Sequence, residues 1–162
     1  MSTKLTRNNL TRSFKINNPE KIKIACVISE WHNEITDSLF NGAKKKLMMH
    51  GILEKNIYEI YTPGSFELIF ATKILMKKDF DSIIAIGCII KGETKHFDFI
   101  SEAVINGIKD LNILSKIPII LCVSTDNDIQ QSIDRSGGKL GNKGEDCAEA
   151  ALKMISINST NK

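Results

Sequence analysis

Residues 82–98 read SIIAIGCIIKGETKHFD, and this stretch decides the fold. From Ile83 to Ile90 every side chain is apolar or small. A run without polar alternation reads as a strand buried on both faces, the pattern of a parallel sheet. It stops at Lys91-Gly92-Glu93-Thr94-Lys95-His96, which reads as a loop opening a helix. A glycine, a hydroxyl, two lysines, a carboxylate and an imidazole are thus gathered at the carboxyl end of a central strand. In an open α/β sheet ligands bind at that edge. The unpaired N–H groups of a helix start favour an anion there. The segment therefore predicts a site for a phosphorylated small molecule with a histidine beside it.

The rest of the chain repeats the strand-then-helix alternation. Strands are expected over 22–28, 57–61, 83–90 and 118–123. Helices are expected over 35–50, 66–78, 96–111, 129–136 and 145–157, with Gly51 ending the first and a glycine-rich stretch, 137–144, before the last. This alternation predicts βαβ units and a single α/β domain over 21–158: three layers, α/β/α, around a four-stranded parallel sheet, flavodoxin-like in class. Residues 1–20 are polar, contain the breaker Asn17-Asn18-Pro19, and are expected to be a flexible or partner-bound arm.

Composition excludes several classes. The 162 residues suit one domain with a sizeable core. With 22 basic and 19 acidic side chains the net charge is +3, too small to argue for nucleic acid or an anionic membrane. The basic runs Lys44-Lys45-Lys46 and Lys77-Lys78 read as solvated helix faces. Cys26, Cys88, Cys122 and Cys147 form no CxxC and no Cys/His cluster with zinc spacing, so no metal is expected. Buried free thiols imply a reducing compartment, and no apolar run or hydrophobic leader core implies membrane insertion or export; a cytoplasmic protein is expected.

Each strand's carboxyl end carries unusual residues. After the first come Glu30-Trp31-His32-Asn33, with the only tryptophan. After the second come Pro63-Gly64-Ser65-Phe66-Glu67, after the third the segment quoted above, and after the fourth Ser124 to Asp128, with Arg135 two turns on. Trp31 is either a core aromatic or an exposed ring for stacking on a flat ligand. Glu67 and Arg135 suit helix dipoles as well as a ligand, and Thr94 suits an N-cap. His96 stands where an imidazole could transfer protons near neutral pH. His32 and His50 read as structural, and Lys139 and Lys143 as solvated. No nucleophile elbow, Walker loop or GxGxxG is present.

Three long stretches resemble the 6,7-dimethyl-8-ribityllumazine synthase family in order and spacing: Pro63 to Glu67, Gly87 to Asp98, and Arg135 to Gly144. The resemblance is collinear from about residue 21 to 157. It implies condensation of 5-amino-6-(D-ribitylamino)uracil with 3,4-dihydroxy-2-butanone 4-phosphate, releasing phosphate and water, in the penultimate step of riboflavin biosynthesis. No metal or organic cofactor is implied. Trp31 is implied to stack on the pyrimidine; Ser65, Phe66 and Glu67 to line the ribityl chain; Cys88, Ile89 and Ile90 to present backbone groups to the uracil. The N–H groups of Glu93 and Thr94 are implied to hold the phosphate with Arg135 as its clamp, His96 to shuttle protons, and Leu121 and Lys143 to sit near the pyrimidine. The family's site lies between two subunits of a homopentamer, with the residues near Leu121, Arg135 and Lys143 coming from the neighbour. Some members build a hollow icosahedral capsid of about sixty subunits. The short 137–144 stretch is similar to shell formers, and association with riboflavin synthase is an implied partner.

Against the family pattern, Leu121 stands where phenylalanine is frequent, Cys88 where threonine is, and Ser65 where alanine is. Glu30 and His32 flank Trp31 where arginine and asparagine are common. None of these removes a group the chemistry needs. The competing readings are a flavin- or nucleotide-binding flavodoxin-like module and a riboflavin synthase of the same fold.

Overall fold

The computed structural model describes residues 14–160. Four strands, β1 (Ile24–Ser29), β2 (Ile57–Thr62), β3 (Ser82–Ile90) and β4 (Ile119–Asp126), form one sheet in the order β2-β1-β3-β4, and every pairing is parallel. The helices are α1 (Asn33–Met49), α2 (Leu68–Leu75), α3 (His96–Leu114), α4 (Ile129–Arg135) and α5 (Lys143–Thr160). The three-layer α/β/α architecture with a four-stranded parallel sheet is the one read from the alternation.

Side-chain alternation along the two central strands divides the core. Ile24, Cys26 and Ile28 of β1 and Ile84 and Ile86 of β3 pack with Leu39 and Leu47 of α1 and Leu152 of α5. Ala25 and Val27 with Ile83 and Ala85 face the other way, onto Leu68 of α2 and Val104 and Ile108 of α3. Both faces of β1 and β3 are therefore buried, which is why these strands read as unbroken apolar runs. The edge strands differ. In β2 only Ile57 and Thr62 are buried, and Tyr58 and Tyr61 remain exposed.

Helix boundaries follow local chemistry. Helix α1 stops where Gly51 adopts φ +87°; the Ile52 N–H donates to the Leu47 carbonyl at 3.2 Å and the Gly51 N–H to Met48 at 2.9 Å, satisfying carbonyls of the last turn. Helix α2 is shorter than the expected 66–78, because Pro63-Gly64-Ser65-Phe66-Glu67 forms the turn that feeds it. Strand β4 is longer than expected: Ser124, Thr125 and Asp126 continue the ladder opposite Cys88, Ile89 and Ile90. The glycine-rich 137–144 stretch is no open linker. It contains a short antiparallel hairpin, β5 (Ser136–Gly138) with β6 (Gly141–Asn142).

Asn142 fastens that hairpin to α1. Its Nδ2 donates to the carbonyls of Ser38 at 2.8 Å and Ser136 at 3.2 Å, and its Oδ1 accepts from the Gly144 N–H at 2.8 Å. The first turn of α5 consequently lies directly on α1. A Cβ on Gly144 would fall 1.8 Å from the Leu39 carbonyl oxygen.

The expected flexible or partner-bound arm over 1–20 lies, for residues 1–13, outside the described residues. Within 14–20, Phe14 stacks on the His50 ring at 5.8 Å and the Ser156 hydroxyl donates to the Lys15 carbonyl at 2.9 Å. This segment thus crosses α1 and α5 of its own chain.

All four cysteines are free. Burial pushes the Cys26 thiol up to about 12 and raises that of Cys88. Cys122, hydrogen-bonded to Cys147 and buried, titrates well above the ordinary thiol value. Cys147, on half-buried α5 surface, is moved the other way because the Cys122 thiol stabilises its thiolate.

Gly144→Ala should destabilise the protein by roughly 2–3 kcal/mol in denaturant unfolding, because backbone rather than a flexible tip blocks the new methyl. Gly92→Ala, with nothing within 4 Å of its added Cβ, should change stability by no more than about 0.5 kcal/mol. Equal effects would refute the α1–α5 constraint. Alkylation followed by peptide mapping between about pH 6 and pH 9 should modify Cys147 first, below the pH at which a free thiol of pKa about 8.5 reacts. Earlier labelling of Cys26 would contradict the burial assigned to it.

Candidate active site

Parallel pairing brings the carboxyl ends of all four strands to one edge of the sheet, and most of the residues singled out in the sequence lie along it. After β1, the Glu30 N–H donates to the Thr62 carbonyl at 2.8 Å, joining the β1 and β2 exits. Trp31 is 68% exposed, so it is no core aromatic; its ring meets His32 edge-on at 6.3 Å. His32 has φ +60° and its carbonyl accepts from Ile35 and Thr36 N–H groups, so it shapes the entry to α1. The Thr36 hydroxyl donates to the Ser29 carbonyl at 2.8 Å and fixes that entry to the strand.

After β2, Ser65 is buried and its hydroxyl donates to the Cys88 carbonyl at 3.4 Å. The turn packs so closely on β3 that a Cβ on Gly87 would meet Ser65 Oγ at 2.7 Å and Leu68 Cδ1 at 3.0 Å. Glycine at 87 is therefore what lets the 63–67 turn reach β3. Phe66 and Glu67, by contrast, are exposed beside it.

After β3, Ile89 is buried and Ile90 half-buried, while Lys91 to His96 are all exposed. The Lys91 N–H donates to the Asp126 carbonyl at 2.9 Å, which anchors the loop where it leaves the sheet. Thr94 Oγ1 accepts from the His96 N–H at 3.3 Å, a local bond one residue ahead of Lys95, the N-cap of α3, whose own side chain makes no capping bond. Among the described residues, the Glu93 and Thr94 N–H groups have no internal acceptor. Such donors at a helix start form an anion-binding concavity.

Leu121, Arg135 and Lys143 are gathered elsewhere. They line a cleft of about 480 Å³ between β4, α4 and α5, together with Asp126, Ser132, Asp146 and Cys147. Trp31, the 65–67 turn, and Ile89 to His96 contribute nothing to that lining. One chain thus carries two separate groups of predicted residues. Lys143 Nζ pairs with Asp146 Oδ2 at 2.9 Å and is not merely solvated. Arg135 Nε lies 3.3 Å from Asp126 Oδ1.

Sequence reasoning missed Asp126. Of the Ser124 to Asp128 run at the end of the fourth strand, only Asp128 caps α4, its Oδ1 accepting from the Gln131 N–H at 2.9 Å. The available signal was a carboxylate three residues beyond the apolar run Ile119 to Val123. Among the described residues no group of three His, Cys, Asp or Glu side chains could hold a metal ion, and no helix is long and apolar enough to cross a membrane.

A family model described as 6,7-dimethyl-8-ribityllumazine synthase matches residues 21–159. The chain is 51% identical over 143 residues to a protein of that name from Flavobacterium johnsoniae, covering 88% of this chain and 75% of the relative. It is 48% identical over 155 residues to one from Christiangramia forsetii, covering 93% and 92%, and 48% identical over 135 residues to one from Bacteroides fragilis, covering 83% and 94%. With the family match running through all four strands of the sheet, these comparisons place the chain in the 6,7-dimethyl-8-ribityllumazine synthase family.

Proposed function

We propose that the chain condenses 5-amino-6-(D-ribitylamino)uracil with 3,4-dihydroxy-2-butanone 4-phosphate to give 6,7-dimethyl-8-ribityllumazine, releasing phosphate and water, as the penultimate step of riboflavin biosynthesis. The observation that carries this reading is the position of the exposed Glu93-to-His96 loop, with free N–H donors and an imidazole, at the exit of β3. Exposed Trp31 and Phe66 beside the same edge supply apolar faces for a flat ring. A flavodoxin-like binding module and a riboflavin synthase of the same fold are not favoured, since the relatives carry the lumazine synthase name.

In this reading Trp31 stacks on the pyrimidine, Phe66 and Glu67 line the ribityl chain, and Ile89 and Ile90 offer backbone groups to the uracil. Ser65 works one step removed: its hydroxyl is turned onto the Cys88 carbonyl and steadies that strand end. The Glu93 and Thr94 N–H groups receive the phosphate, and His96 moves protons as the imine forms and phosphate departs. The substrate amine is already nucleophilic, so holding two reactants in register supplies most of the acceleration, up to about 7–11 kcal/mol in favourable cases.

The second group completes the site from a neighbouring copy. Leu121, Arg135 and Lys143 face a cleft of their own, with Leu121 at the sheet edge and Arg135 partly exposed. Placed against the next subunit's 89–96 segment, Arg135 would add a permanently charged planar fork to the phosphate, and Lys143 and Leu121 would close over the pyrimidine. We read a cyclic homopentamer, with a shell of pentamers and an association with riboflavin synthase as extensions of that assembly. Four free cysteines fit a reducing, cytoplasmic setting.

Purified protein mixed with both substrates should produce the fluorescent lumazine faster than the substrates alone; no acceleration would overturn the proposal, and omission of the phosphate ester is the control. His96→Ala should slow turnover by about 10²-fold, at the low end of acid–base effects, and leave measurable activity. Complete loss in an intact assembly would contradict the dominance of positioning. Arg135→Ala should raise KM for the butanone phosphate by about 10-fold or more, the scale of a lost charge-assisted contact. An unchanged KM would remove Arg135 from the phosphate site.

A further inference from the structure

One buried carboxylate beside the cleft is outside the roles assigned above. Asp126 ends β4 and is 4% exposed. Its backbone carbonyl accepts from the Lys91 N–H, while its Oδ2 accepts from the hydroxyls of Ser124 and Ser132, the latter at 2.8 Å. Oδ1 faces Arg135, whose Nε lies 3.3 Å away. That Nε is buried and, among the described residues, its N–H is not aligned on any acceptor, so the pair is held by charge more than by a directed hydrogen bond. The other cations of this region face different carboxylates, Lys139 pairing with Asp134 and Lys143 with Asp146, each at 2.9 Å.

Burying a carboxylate this deeply is costly unless hydrogen-bond donors and a counter-charge compensate it. Two serine hydroxyls and the guanidinium provide them. In return, a long side chain on the seven-residue helix α4 gains a fixed electrostatic anchor at one edge of its fork. We propose that Asp126 is a positioning residue that acts through Arg135 and so sets the affinity for the phosphorylated substrate. This rests on the reading of Arg135 as the phosphate's guanidinium.

The carboxylate also repels a bound phosphate, and this opposes its positioning effect. Positioning wins because the carboxylate's charge is already countered by two hydroxyl donors, and because, among the described residues, Arg135 Nε has no other acceptor to hold it. Without Asp126 the guanidinium, 26% exposed, is free to turn into solvent. It would then have to be re-ordered each time the phosphate binds. Because the Asp126 carbonyl also anchors the 91–95 loop, the side chain can be altered without removing that backbone contact.

The test is steady-state kinetics on the assembled enzyme, Asp126→Asn, Arg135→Ala and the double variant, with assembly checked by sedimentation. Asp126→Asn should raise KM for the butanone phosphate by roughly tenfold, the scale of freeing a rotamer-rich side chain. KM for the ribitylaminouracil and kcat should stay within about twofold, a split that a merely structural defect would not produce. In the Arg135→Ala background the same substitution should add nothing. An unchanged or lowered KM in Asp126→Asn, with Arg135→Ala still impaired, overturns the positioning role alone. An unchanged KM in Arg135→Ala overturns the phosphate reading instead. Should Asp126→Asn not assemble, Ser132→Ala, which removes one of the two hydroxyls on Oδ2, should raise the same KM by a smaller factor, and no change there refutes the proposal.

Discussion

Burial of β1 and β3 on both faces is the constraint on which the rest of the structure depends. Every residue of β1 is buried, as is every residue of β3 up to Ile89, so neither strand can carry chemistry along its length. Parallel pairing then sends all four chain exits to the same edge, and polar function can be placed only there. The exits are tied to one another through backbone groups, Glu30 to Thr62 and Lys91 to Asp126. Exposed loops therefore start from fixed points, which is what a reaction between two separate molecules requires of its enzyme.

The sequence made legible whatever depends on this burial. An unbroken apolar run from Ile83 to Ile90 is the direct imprint of a strand covered on both sides, and the parallel sheet follows from the alternation of strands and helices along the chain. The polar Ser124, Thr125 and Asp126 hide the true end of the edge strand β4 in the sequence, yet they still pair with Cys88 to Ile90. At a sheet edge near a site, polarity does not end a strand. The β5–β6 hairpin was hidden for a different reason: its pairing is fixed by Asn142 reaching Ser38 on α1, a contact spanning 104 residues. Trp31 could not be assigned from its neighbours, and only its exposure separates a stacking ring from a core aromatic.

Asp126 shows the limit most plainly. Its partner, Arg135, is nine residues on, and only the turn of chain between β4 and α4 brings the two within 3.3 Å. In sequence the same carboxylate is indistinguishable from the capping Asp128 two residues later. The structure also separates the predicted site residues into an exposed rim around Trp31, the 65–67 turn and His96, and a cleft around Leu121, Arg135 and Lys143. The proposed assembly gives this separation a purpose. Each chain would lend its cleft to one neighbour's reaction and present its rim to the other.

That shared site is the central claim, and subunit mixing tests it most directly. His96→Ala and Arg135→Ala chains would be co-assembled in equal amounts and compared with each variant alone, using lumazine formation at a butanone phosphate concentration limiting for Arg135→Ala. If rim and cleft come from different copies, about a quarter of the junctions receive both intact residues and the mixed assembly exceeds the mean of its parents. Activity equal to that mean, in assemblies shown to contain both chains, would mean that each site is built within one chain and would contradict the account.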